Sequence, residues 1–169
     1  MGNLAGSVEV QLGPVRTIVT VYSSNIVRVT HLPPGARLPE SLVVTRKPAE
    51  VPFKVEEEGG CTVIRTGELV VTLDPSACTV ELGWGWDALV ELDRSLERVK
   101  VLGEEALSLR QMFALADGEA AFGLGQHAGF SAHAGLNYRG RVVYLAQRNT
   151  DIAAPFMVSS RGYGLLWDV

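Results

Sequence analysis

The chain has 169 residues, 47% of them hydrophobic and 20% charged, with a formal net charge of -4 at pH 7. That length can bury one sizeable core and makes a single domain over 1–169 the expectation. The acidic balance argues against nucleic acid, which needs a clustered basic surface, and no apolar run reaches the roughly 20 residues of a membrane helix. The opening residues Met1 to Ser7 carry neither a basic nor an apolar leader segment, so no signal peptide is read there. The two cysteines, Cys61 and Cys78, lie outside any Cys-x-x-Cys motif. Sparse cysteines point to a reducing, cytoplasmic setting with free thiols, a disulfide being the alternative.

In chain order the first half reads as strands. Val8, Val10 and Leu12 alternate with Glu9 and Gln11; Val15, Thr17, Val19 and Val21 form one face, with Arg16 and Thr20 on the other; Ile26–His31 is a third run. A period of two in Val, Ile and Thr suits strands. Prolines 33, 34 and 39 with Gly35 make a loop, and Leu42–Thr45 resumes extended structure. Phe53–Glu57 and Cys61–Arg65 flank Gly59-Gly60, a hairpin turn by its freedom at positive φ. Leu69–Leu73, the turn Asp74-Pro75-Ser76 and Thr79–Leu82 continue the series.

Gly83-Trp84-Gly85-Trp86-Asp87 admits two readings: tryptophans exposed for stacking on sugar rings, or core plugs beside a turn. Their large apolar area favours the core. Leu92, Leu96, Val99, Leu102, Ala106 and Leu109 recur at helical spacing, and taken alone they predict a helix from about Asp93 to Gly103. Ser108–Ala116 reads as a strand, Val142–Leu145 as a short one, and Phe156–Ser159 with Tyr163–Trp167 as a hairpin turning at Ser160-Arg161-Gly162. Strands at this spacing indicate an all-β sandwich or barrel.

Chemistry-bearing patterns are few. Gly123-Leu124-Gly125 lacks the third glycine of a dinucleotide fingerprint. His127 and His133 have no third ligand nearby for a metal. Ser159-Ser160 sits in no nucleophile elbow. No cofactor or metal is expected within the chain, while the 19 acidic residues leave a catalytic carboxylate pair open by count. Arg139, Arg141, Arg148 and Arg161 read as a basic patch or as a solvated rim. Asn149-Thr150-Asp151 offers an amide and a carboxylate that suit sugar hydroxyls, yet the same residues favour ordinary turns.

Four segments in order carry a resemblance: Phe122–His127 (Phe-Gly-Leu-Gly-Gln-His), Asn137–Arg141 (Asn-Tyr-Arg-Gly-Arg), Arg148–Asp151 (Arg-Asn-Thr-Asp) and Pro155–Asp168. Together they resemble the amino-terminal β-sandwich domain of glycoside hydrolase family 31. Gln126-His127 looks more like that family's α-xylosidase-type members than its α-glucosidases. The resemblance implies an all-β, antiparallel sandwich similar to galactose-mutarotase-like domains. It also implies strands and turns in place of the helix at 93–103, and we adopt them. In the family both catalytic aspartates belong to a (β/α)₈ barrel that follows the sandwich, and no βαβ alternation occurs here. The chain is therefore expected to be inactive alone and to act on an α-linked oligosaccharide or glycoside together with that barrel. By the same resemblance Asn149, Thr150 and Asp151 are the substrate-binding residues, and an exposed Asp151 carboxylate is expected at the pocket mouth. The run at Gly164–Trp167 is expected to leave a sheet edge open to self-association. A free-standing carbohydrate-binding or interaction module is the alternative, and a complete mutarotase-like enzyme a weaker third.

Overall fold

The computed structural model describes residues 6–37, 40–48, 50–127 and 136–168. Among them every regular element is a strand and every pairing is antiparallel. The chain divides into two compact units, Met1–Glu40 with Thr45–Ala114, and Ser41–Val44 with Leu115–Val169.

The first unit is built from two sheets. One holds β1 (Ser7–Leu12), β2 (Val15–Ser23) and β3 (Ile26–Leu32); the other holds, in order, β4 (Lys54–Glu58), β5 (Cys61–Arg65), β6 (Val70–Asp74), β7 (Thr79–Trp84), β8 (Asp87–Val101) and β9 (Glu104–Phe113). The alternation seen in the sequence points Val8, Leu12, Val19 and Val21 inward to meet Ile64, Val71, Leu73 and Val80 in one core. Removing such side chains from water is the main drive for the two sheets to pack. Gly59 and Gly60 turn β4 into β5 at φ 61° and 86°. Asp74 closes the next turn by accepting the amides of Ser76 and Ala77 at 2.8 and 3.1 Å.

The helical spacing over 93–103 does not produce a helix. Leu102 and Gly103 both take positive φ, 52° and 89°, which makes the tip of a two-residue hairpin and which no right-handed helix can hold. Leu96 then faces Leu109, Val99 faces Ala106 and Lys100 faces Glu105 across β8 and β9. The expected extended run at 42–45 forms no ladder either. Ser41 Oγ accepts the amides of Val43 and Val44 and turns the chain there.

A buried polar group ties the two sheets of this unit together. Glu91, 2% exposed, accepts Arg94 Nη1 at 2.5 Å and Gln111 Nε2 at 3.0 Å. Arg94 Nη1 also lies 3.1 Å from His31 Nε2, and His31 Nδ1 lies 3.0 Å from Thr17 Oγ1. A guanidinium only donates, so Nε2 must be the acceptor and Nδ1 carries the proton toward Thr17.

The second unit contains β10 (Ala121–Gln126), β11 (Ile152–Ser159) and β12 (Gly164–Leu166), paired in that order. β11 and β12 form the expected hairpin, with Gly162 at φ 85° in its turn. Val142–Leu145, expected as a strand, joins no ladder. Pro155 is a strand residue. It lies inside β11 where the register with β10 shifts between Gly123 and Gly125, so its missing donor falls on a bulge.

Candidate functional site

The candidate site is the connection between β10 and β11, and its frame begins with two glycines. Gly123, Leu124 and Gly125 all take positive φ, at 94°, 62° and 96°. A Cβ on Gly123 would stand 2.6 Å from the Phe156 carbonyl oxygen, and one on Gly125 would overlap that of Ile152. The Gly-x-Gly pattern therefore exists to lay one strand's bulge against its neighbour's backbone, and it brings residue 152 beside residue 126.

Below that bulge sits a carboxylate that the sequence did not mark. Glu119, 4% exposed, accepts Ser159 Oγ at 2.5 Å and Tyr163 Oη at 2.7 Å through Oε1, and the Ala116 amide at 2.7 Å through Oε2. Burial pushes its carboxyl toward neutrality, but these donors outweigh burial and hold it below the usual range. Burial and the same carboxylate push the Tyr163 phenol up to about 12. Arg139 Nη1 donates to the carbonyls of Ala116 and Glu119, and Asn137 Oδ1 accepts the amides of Ala121 and Arg139. Asn-Tyr-Arg is thus a brace on the start of β10. His127 is part of the frame, with Nε2 2.9 Å from the Leu124 carbonyl and its ring edge-on to Tyr138. His133 lies outside the described residues.

At the far end of the connection Arg148 and Asp151 pair as an isolated bridge, with Asn149 and Thr150 as the loop between them. The Asp151 amide donates to the Arg148 carbonyl at 3.1 Å. Of the two central residues only Thr150 has positive φ, 73°. A β-branched residue there is strained. A turn with only its second residue at positive φ does not follow the twist of a hairpin, and the part of β11 that 142–145 would face is already paired with β10 and β12. Thr150→Asn should relieve the strain, and the Tm of this unit should rise by an amount equivalent to about 1 kcal/mol. A thermal scan showing no rise would mean that the turn's contacts already compensate.

Asn149 and Thr150 are exposed, whereas the Asp151 side chain is 13% exposed and accepts Arg148 Nε at 2.7 Å. The open carboxylate expected from the sequence is therefore a turned-in one, because the arginine three residues earlier folds over it. The Ala153 amide donates to Gln147 Oε1 at 3.1 Å and fixes the exit of the turn. The structure thus places Asn149, Thr150 and Asp151 on one turn closed by Arg148.

The comparisons with known proteins agree across the chain. Residues 16–169 match the family described as glycosyl hydrolase 31 N-terminal galactose mutarotase-like domain. An α-xylosidase of Saccharolobus solfataricus is 32% identical over 94% of this chain and 23% of its own length. The crystal structure of a GH31 α-xylosidase from Xanthomonas citri superposes with a TM-score of 0.83 at 35% identity, over 99% of this chain and 19% of that one. A GH31 α-xylosidase from a soil metagenome, complexed with xylose, shares the fold with a TM-score of 0.78 at 21% identity, over 98% of this chain and 27% of that one. The chain thus spans between 19% and 27% of each relative's length.

Proposed function

The chain belongs to the glycosyl hydrolase 31 family, as its N-terminal galactose mutarotase-like domain, and from that premise we propose that it is the non-catalytic sandwich of an α-xylosidase- or α-glucosidase-type enzyme. In this reading it supports a catalytic barrel and lends the 148–151 turn to the rim of the sugar pocket. The observation that carries it is identity above 30% with two α-xylosidases over nearly the whole chain. The exposed Val142 and Tyr144, at 77% and 79%, lead into the turn and suit a surface that another domain covers. As the outer strand of its sheet, β12 offers an edge to a further strand of the enzyme or of a second copy. Free Cys61 and Cys78 suit a cytoplasmic enzyme.

Asn149 and Asp151 would bind sugar hydroxyls, the amide donating and accepting and the carboxylate accepting. The test compares Asp151→Ala with Arg148→Ala in the enzyme that carries the barrel. Their shared ion pair has its guanidinium 68% exposed to screening solvent, so either change should cost less than about 1 kcal/mol of stability. A carboxylate at the pocket makes a charged hydrogen bond, and its loss should lower kcat/KM by roughly 10- to 100-fold. Arg148→Ala should lower it far less. Equal kinetic losses in both variants, or none in Asp151→Ala, would reduce the turn to a structural ornament and remove Asp151 from the pocket.

A further inference from the structure

The tryptophans of Gly83-Trp84-Gly85-Trp86 do not both fill the core. Trp84 and Asp87 pair across a two-residue hairpin whose loop is Gly85 and Trp86. Gly85 takes φ 55° in the first loop position, the role glycine has in the tight primed turns that join β7 to β8. The second position is then the tip, and the Trp86 indole is fully exposed, at 105%. Burying an indole face is strongly favourable, and among the described residues nothing covers this one.

A shallow open groove of about 330 Å³ runs from this ring over the β6–β7–β8 surface, past Glu68, Val70, Glu81, Gly83 and Ala88. Gly83 forms its floor, between Val70 and Ala88 in the ladder. Neither space nor φ demands glycine there. A Cβ would meet its nearest neighbours at 3.8 Å, ordinary contact distance, and Gly83 is absent from the positive-φ residues. A mid-strand glycine weakens a sheet, and one that the backbone does not require marks close approach by another body. Glu68 is held in place at the rim, with Oε1 accepting Ser24 Oγ at 2.5 Å.

We propose that this groove is a saccharide-binding site on the sandwich, separate from the 148–151 turn, with Trp86 as its stacking platform. A pyranose presents a face of C–H groups, which complements the negative face of an indole. Its equatorial hydroxyls donate, and Glu68 and Glu81 are acceptors at the rim. Among the described residues no basic side chain lines the groove, so a neutral glycan fits and a phosphorylated or uronic one does not. The glycosidase reading guides only the choice of occupant: a second foothold would hold a long chain while its end is processed.

Native electrophoresis of the full chain through gels containing soluble dextran, or a β-glucan branched with α-xylose, tests this directly. Wild type should be retarded by at least one of them. Trp86→Ala should weaken that binding about tenfold, equivalent to the loss of one good aromatic contact, and Trp86→Phe should retain most of it. Gly83→Leu should weaken it equally without lowering Tm, because the added side chain fills the trough and not the core. In the enzyme that carries the barrel, hydrolysis of a small aryl α-glycoside reports the pocket instead and should be the same in all these variants. Retention by the chain without hydrolysis by that enzyme would leave this site standing and sink the pocket reading. Absence of retardation in both gels, or retardation that survives both Trp86→Ala and Gly83→Leu, would overturn the site. So would a shielded, blue-shifted Trp86 fluorescence in the sugar-free protein.

Discussion

Gly125→Ala is expected to unfold the unit that carries the 148–151 turn. Two costs coincide at this position. The residue sits at φ 96°, where any L side chain is strained by about 1–3 kcal/mol. Its new Cβ would also overlap the carbonyl of Ile152, a backbone atom. Ile152 is paired with Gln126 in the same ladder, so it cannot retreat without breaking β10 from β11. The total should exceed about 4 kcal/mol, a loss found only for a few named mechanisms. Two neighbours grade the effect. Gly123→Ala meets the Phe156 oxygen at 2.6 Å and should also be severe. Gly118 has φ 71° with nothing within 4 Å, so Gly118→Ala should show the conformational cost alone, about 1 kcal/mol. Urea unfolding and amide exchange across β10 and β11 measure the series. A Gly125→Ala midpoint equal to that of Gly118→Ala would show that β11 yields, and would break the link between the Gly-x-Gly motif and the position of the turn.

That link shows what the sequence can and cannot reveal. The glycines of Phe122–His127 stand out as a motif, but their reason is a strand that begins at Ile152, and no local pattern names that partner. Local signals fared well where the cause is local. Val8–Leu12, Val15–Val21 and the Gly59-Gly60 hairpin follow directly from alternation and turn chemistry. They failed at 93–103, where leucine spacing outweighed the two-residue turn at Leu102-Gly103 that decides the conformation. They failed again at Trp86. Apolar area favours the core, but Gly85 in front of it puts that ring on a hairpin tip. Buried charge was the least visible feature. Glu91 lies two residues from buried Leu89 on the same strand, and nothing nearby announces Arg94, His31 and Gln111 as its company. Glu119 likewise finds Ser159 and Tyr163 forty and more positions away. At the turn, residue type was legible and orientation was not, since Arg148 decides how Asp151 lies.

Acid should loosen the first unit well before its carboxylates titrate in bulk, and His31 is the cause. Burial, and then the neighbouring Arg94 guanidinium, push its imidazole down to about 4 from 6.5. The surroundings explain the direction. Arg94 Nη1 donates to Nε2, so a proton on that nitrogen would remove an acceptor and set two cations 3.1 Å apart. Glu91 Oε1, 3.7 Å away, offsets this only in part because Gln111 already donates to that oxygen and Arg94 to Oε2 of the same carboxylate. Thr17 Oγ1 on the other side accepts from Nδ1 and adds no charge. The folded state therefore binds the proton less readily than the unfolded chain. Stability tied to neutral His31 is fully present above about 6.5 and is lost progressively as pH falls toward 4. At 1.36 kcal/mol per pKa unit the loss approaches about 3 kcal/mol. Urea midpoints should fall across that window in wild type. His31→Gln keeps polar atoms facing Thr17 and Arg94 but cannot titrate, so it should flatten the slope at a modest cost near pH 7. Glu91→Gln should behave oppositely: it leaves buried Arg94 without its counter-charge, costs about 3–5 kcal/mol at every pH, and makes His31 still harder to protonate. An unchanged acid slope in His31→Gln, or an imidazole that titrates near 6.5 by NMR in the folded protein, would place the acid sensitivity elsewhere.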